Sequence, residues 1–179
     1  ALAAAGHKEI ILTGINIGTY QYKSKTLLDV IEALEQIEDI KRIRISSIEP
    51  TTIPAEIFDF MRFGHKLCRY LHVPIQSGSD DILCAMKRKY STQEFADFVN
   101  LACAKVPGIC IGTDVIVGFP GETDERFRET ETLLRELPVH YFHVFSYSPR
   151  TMAKSRAFGE AVSSRIIHER SQILRDLSE

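Results

Sequence analysis

Polar residues collect at the ends of five short β-rich runs in this sequence, and their types are those that hold and orient a polar ligand. The run 8–13 ends in Thr13-Gly14-Ile15-Asn16, and the run 42–47 ends in Ser46-Ser47-Ile48-Glu49-Pro50. The run 69–74 gives Gln76-Ser77-Gly78-Ser79-Asp80, and the run 109–119 gives Gly118-Phe119-Pro120-Gly121-Glu122. The run 140–147 closes with Ser146-Tyr147-Ser148-Pro149-Arg150. Loops are polar by default, and Ser, Asp and Gly readily cap the next helix. Asn16, Glu49, Gln76 and Glu122 go beyond capping types, and five such clusters in succession point to a polar ligand site on one face.

Other residues leave alternatives open. Period-2 alternation puts Cys110, Gly112, Asp114, Ile116 and Gly118 on one face of the fourth run. An inward carboxylate is costly unless paired, so Asp114 meets either a ligand or a neighbouring strand. Gly118 and Gly121 bracket Pro120, a tight turn where backbone can approach a bound molecule. Lys87, Arg88 and Lys89 either cap a helix C-terminus or reach an anionic group. The six histidines form no triad and no HExxH motif; His140 and His143 fall on opposite faces of one strand. Cys68, Cys84, Cys103 and Cys110 form no CxxC pair and no iron–sulfur or zinc spacing, which suits reduced, packed thiols.

The elements that must position these groups alternate strand with helix. Leu27, Val30, Ile31, Leu34 and Ile37 make an i, i+3, i+4, i+7 stripe. A short helix follows Ser79, and a second carries Phe95, Phe98, Val99 and Ala102 behind a Ser91/Glu94 capping box. Thr123 is an N-cap with Asp124 and Glu125 in the first turn, and a last helix covers about 163–177. Such alternation implies a parallel sheet built of βα units, with active-site loops at the carboxyl ends of its strands. No linker divides the chain, so one domain over 1–179 is expected, residues 150–179 being a closing loop and C-terminal helix. Ala1–Ala5 with Gly6 reads as a helix end feeding the first strand, as though the chain starts inside a repeat.

Composition bounds the rest. The sequence has 44% hydrophobic and 26% charged residues and a formal charge of −2, ordinary for a globular protein. That charge argues against a surface devoted to nucleic-acid phosphates. No apolar run approaches the ~20 residues of a membrane span; a cytoplasmic protein without a membrane partner is expected.

The segments LTGINIG (12–18), RISSIEP (44–50), HVPIQSGSD (72–80) and TDVIVGFPGET (113–123) resemble the radical S-adenosylmethionine (SAM) tRNA methylthiotransferases. With MKRKY (86–90) and HVFSYS (143–148), the likeness is greatest to the branch that modifies threonylcarbamoyladenosine. The resemblance implies an α/β partial TIM-like barrel with five of six βα units in this chain. It implies SAM and [4Fe–4S] clusters in the intact parent, whose first strand and CxxxCxxC loop are not in this sequence, so that this chain alone is inactive. Thr13, Gly14 and Asn16 would line the methionine side of SAM; Ser46, Glu49, Gln76 and Ser77 would face the nucleoside and the reaction space. Gly118 would approach SAM, Tyr147 would border the adenine, Asp114 stands among the cofactor contacts, and Arg88 and Glu122 among the substrate contacts.

The chemistry implied for the parent is SAM cleavage to a 5′-deoxyadenosyl radical and hydrogen abstraction from C2 of the modified adenosine, followed by methylthio insertion. The partner is tRNA, its target base beside the anticodon splayed into the site; the sequence identifies neither the sulfur donor nor the electron donor. Isopentenyladenosine in tRNA or a ribosomal-protein aspartate is the rival substrate, and a non-catalytic SAM- or nucleotide-binding barrel the rival class. One departure stands out: the family's Arg-x-Gly-Thr-Pro-Ala turn is replaced by Arg150-Thr151-Met152-Ala153-Lys154-Ser155.

Overall fold

The computed structural model describes residues 1–64, 66–149 and 159–178; the Arg150–Ser155 turn lies outside them. The main strands are β1 (Glu9–Leu12), β4 (Arg42–Ile45), β5 (Tyr70–His72), β6 (Cys110–Val117) and β7 (Tyr141–Ser146). Between them run helices α1 (Leu27–Glu35), α2 (Ile57–Phe63), α3 (Asp80–Ala85), α4 (Thr92–Lys105) and α5 (Asp124–Glu136), with α6 (Ser164–Ser178) last. All five expected runs are strands. A hairpin of β2 (Gln21–Tyr22) and β3 (Lys25–Thr26) is added; its polar sequence has no apolar alternation to announce it.

The chain divides into two compact units, Ala1–Val73 with Asn100–Ile111, and Pro74–Val99 with Gly112–Glu179. Two of the three divisions fall inside α4 and β6 and the third just after β5, between Val73 and Pro74, so no linker marks them in the sequence.

In the first unit β1 pairs in parallel with β4, Glu9 opposite Arg42 through Leu12 opposite Ile45. Parallel bridges Ile43–Leu67 and Ser47–His72 carry the pairing from β4 to the β5 segment. Ile43, Ile45, Ile57, Met61 and Leu71 are almost wholly buried, as the alternation of one strand face and one helix stripe requires. The α1 stripe ends early: Leu27 and Ile31 are buried, but Ile37 lies beyond Glu35 and is exposed. Lys66 terminates that helix, its Nζ donating to the Glu35 and Ile37 carbonyls at 2.5 and 2.7 Å. In return Glu35 Oε1 accepts from the backbone of Lys66 and Leu67, so one residue pair satisfies the orphan groups of both elements. Gly6 closes the 3-10 turn Ala3–Ala5 at φ +92°, its N–H bonded to Ala3 O.

In the second unit β6 pairs in parallel with β7, Gly112 opposite Tyr141 through Val117 opposite Ser146. One face of this pair packs Val115, Val117 and Phe142 against Phe127 and Leu134 of α5 and Leu174 of α6. The opposite face carries Asp114 and the row Tyr141–His143–Phe145, with ring centroids 5.3 and 6.5 Å apart. A methyl placed on Gly112 would lie 2.2 Å from Tyr141 Cζ, so the glycine makes room for that ring. The caps are as read: Ser91 and Glu94 bond reciprocally at 2.7 and 3.2 Å, and Thr123 Oγ1 accepts from Arg126 N.

Candidate functional site

The expected residues at the ends of β1 and β4 divide into a bonded group and an open one. Asn16 Nδ2 donates to Glu49 Oε2 at 3.3 Å, and Thr52 Oγ1 donates to Asn16 Oδ1 at 3.0 Å. Thr52 also reaches the Glu49 carbonyl at 3.0 Å, as a side chain one turn on in a 3-10 segment can. Thr52 was not among the expected residues; its signal lay in the TT pair after Pro50. Ser46 is fixed through its backbone, N–H to Leu12 O at 2.9 Å. Thr13 and Gly14 are exposed beside this group.

The expected residues of the second unit behave differently from one another. Gln76 sits at φ +72° and is held by backbone on both sides, N–H to Asp114 O and carbonyl to Ile116 N. Ser77 is 2% exposed, and its Oγ lies 3.4 Å from Thr130 Oγ1 and accepts from Ser79 N. Gly78 N also donates to Thr130 Oγ1; the serine thus serves the seam between this loop and α5. Asp114 is partly buried, and His143 Nδ1 lies 3.9 Å from its carboxylate. Arg88 follows α3 and closes it, N–H to Leu83 O, after Lys87 at φ +59°.

Glu122, expected at a substrate, has both carboxylate oxygens taken by the chain itself. Oε1 accepts from Arg170 Nη1 at 2.6 Å and Oε2 from Gly118 N at 2.9 Å. Both side chains are about nineteen-twentieths buried. Burial pushes the carboxyl above the usual range, while the Gly118 N–H and the Arg170 guanidinium pull it back. Arg170 also meets Asp124 Oδ1 at 2.6 Å and lies over the Phe127 ring. Sequence reasoning missed Arg170; the clue was a charge inside the Ile167–Arg170–Ser171–Leu174 stripe of α6.

Gly118 and Tyr147 do come together. They line one cavity of about 330 Å³ with Pro120, Pro149, Val162 and Ile167. Tyr147 stands edge-on to Phe119 at 5.4 Å, and its N–H bonds Val117 O. Gly118 has φ +82°, and a Cβ there would meet Ile167 Cγ1 at 2.3 Å. Its freedom therefore serves the α6 contact as well as the cavity. The volume, at the lower end of the ~300–1,000 Å³ range of small-molecule pockets, admits a flat heterocycle.

The cysteines do not assemble. Cys68, Cys103 and Cys110 are partly buried and Cys84 is exposed, against the expectation of four packed thiols; its place on the outer side of α3 explains the difference. Among the described residues no three His, Cys, Asp or Glu side chains group as metal ligands. The four cysteines, at 68, 84, 103 and 110, lack the CxxxCxxC spacing of a [4Fe–4S] loop. Among the described residues no helix is long and apolar enough to cross a membrane.

Comparison with known proteins gives these features a family. The model of the Radical SAM superfamily matches residues 1–134. Threonylcarbamoyladenosine tRNA methylthiotransferase MtaB of Bacillus subtilis (strain 168) is 41% identical over 99% of this chain and 40% of its own length. The tRNA-2-methylthio-N(6)-dimethylallyladenosine synthase of Endomicrobium trichonymphae is 38% identical over 84% of this chain and 36% of its own. The chain thus spans about two fifths of the curated relatives it matches. Among solved structures, coproporphyrinogen III oxidase (HemN) from Escherichia coli is 19% identical, covering 92% of this chain and 38% of that one, with a TM-score of 0.70. The archaeal Methanocaldococcus infernus Elp3 is 13% identical, covering 99% of this chain and 48% of that one, at 0.66. Parallel strand–helix units, polar strand ends and the matched family model agree: the fold is the α/β, partial TIM-like barrel of this class, and the chain belongs to the Radical SAM superfamily.

Proposed function

We propose that this chain is part of a radical SAM methylthiotransferase that acts on N6-threonylcarbamoyladenosine beside the anticodon of tRNA. One observation carries the reading: the likeness to the B. subtilis relative runs over 99% of the chain, so it includes every strand-end cluster described above. Bound SAM would supply the methyl group and the adenosyl moiety for the chemistry of the intact protein. The cavity bounded by Gly118 and Tyr147 would seat an adenine ring, with Phe119 fixing the Tyr147 ring from its edge. In the first unit Asn16 holds the Glu49 carboxylate in one orientation, where it can accept from ligand ammonium or hydroxyl groups. Asp114 would contact the cofactor, and Arg88, whose guanidinium can pair with an anionic group, would contact the substrate. Glu122 and Ser77 act by positioning the loops that carry Gly118 and Gln76.

The second reading, a dimethylallyl (isopentenyl) adenosine substrate, is favoured by the name of the E. trichonymphae relative. Mass spectrometry of tRNA nucleosides from a strain lacking the gene separates the two. Loss of the methylthio group from threonylcarbamoyladenosine alone is expected; loss from dimethylallyladenosine instead selects the second reading, and loss from neither rejects both.

A further inference from the structure

Between β1 and α1 the chain projects the β2–β3 hairpin. Tyr22 is 62% exposed and Tyr20 43% exposed. Lys23 sits at the turn with φ +53°, a conformation costly for a residue with a side chain, and its Nζ lies 5.5 Å from the centroid of the Tyr22 ring. The next lysine is not available in the same way: Lys25 is bonded to Asp29 at 2.8 Å. No acidic residue occurs from Ile17 to Leu28, so the tip is locally cationic in a chain of net charge −2.

Beside the hairpin is a cavity of about 500 Å³, lined by Tyr20 and Gln21 on one side and by Thr51, Thr52 and Glu56 on the other. It is built by close approach: a methyl on Gly18 would lie 2.4 Å from the Thr52 carbonyl oxygen. Thr52 ties this wall to the Asn16–Glu49 group. A carboxylate, hydroxyls and an amide suit the edge of a nucleobase, whereas a phosphate would be repelled by Glu56. Exposed rings beside an ammonium are what single-stranded nucleic acid uses for stacking and backbone contact.

We propose that this hairpin and cavity bind a nucleotide flanking the target base in a single-stranded RNA loop: Tyr22 stacks on a base, Lys23 meets a phosphate, and the cavity takes the edge of a base. The proposal rests on the tRNA reading above and adds where the loop is held.

The test is 4-thiouridine photocrosslinking and fluorescence anisotropy of the whole chain with an anticodon-type stem-loop, and with a duplex of the same composition. Crosslinks to the peptide bearing Tyr20 and Tyr22 are expected with the stem-loop. Tyr22→Ala should weaken loop binding roughly 5- to 150-fold, with Tyr22→Phe retaining it. Lys23→Asn suits the left-handed backbone, so it should leave the melting temperature unchanged or higher while reducing the salt slope by about one. Crosslinks confined to other surfaces, no loop binding by the wild-type chain, or equal affinity of Tyr22→Ala would overturn the proposal. A protein partner captured on the hairpin in place of RNA would also count against it. The nucleoside mass spectrometry above tests the tRNA reading independently, so a failure of one is distinguishable from a failure of the other.

Discussion

Replacing Arg170 by Met removes the partner of a carboxylate that cannot reach water. Glu122 and Arg170 are each about 5% exposed in their side chains. Breaking one side of such a pair costs about 3–5 kcal/mol, because the other charge is left buried. For a chain of this length that is a fall of about 6–20 °C in melting temperature. The cost has a sign in pH. Burial already raises the Glu122 carboxyl, and the Gly118 N–H and Arg170 oppose that; without Arg170 the carboxyl rises further. A carboxyl raised in the folded state binds a proton there before it does when unfolded, so folding loses stability as pH climbs above the unfolded value of about 4.3. The gap between Arg170→Met and wild type should therefore be narrow near pH 4.5 and widen toward pH 7. Urea unfolding followed by circular dichroism at both values measures it. The double replacement Glu122→Leu with Arg170→Met should recover most of the loss, since an apolar pair needs no charge solvation. A gap below about 1 kcal/mol at pH 7, or one independent of pH, would refute the buried-charge account.

Three more outcomes are expected. Gly118→Ala combines a left-handed backbone with a clash against Ile167, so it should destabilise by about 2–4 kcal/mol; adding Ile167→Ala should return part of that in the same melts. Asp29 is held down to about 2 by Lys25 and by the backbone and hydroxyl of Thr26. Its contribution is thus complete above its ordinary 3.8 and lost as pH falls through about 2, and Asp29→Asn should flatten the acid limb of the stability curve. Cys84 is exposed whereas burial pushes the Cys103 thiol up; a disulfide reagent at neutral pH should label Cys84 first, as peptide mapping will show.

The strands and caps were legible because their signals are local. Alternating apolar residues, the Ser91/Glu94 box and the Gly6 stop act within one turn, and each stands where it was read. The strand-end clusters were legible as a set, but the role of each member was not. Ser77 and Glu122 carry polar types that suit a ligand equally well, and only their partners Thr130 and Arg170, 53 and 48 residues away, show that the chain itself uses them. The β2–β3 hairpin was missed because it is two residues long on each side and exposed, so it has no buried face whose alternation would announce it.

The Tyr141 ring resting on Gly112 acts as a register mark. Parallel pairing of β6 with β7 brings together segments separated by a whole helix, a slow kind of search in which neighbouring offsets compete. A slip of two residues would keep every side chain on its proper face, so hydrophobic pattern alone cannot forbid it. It would, however, lay the phenol ring on Asp114 instead of Gly112 and leave the glycine's space empty. One missing side chain thus lets a strand pair distinguish its correct alignment from the error that burial would not detect.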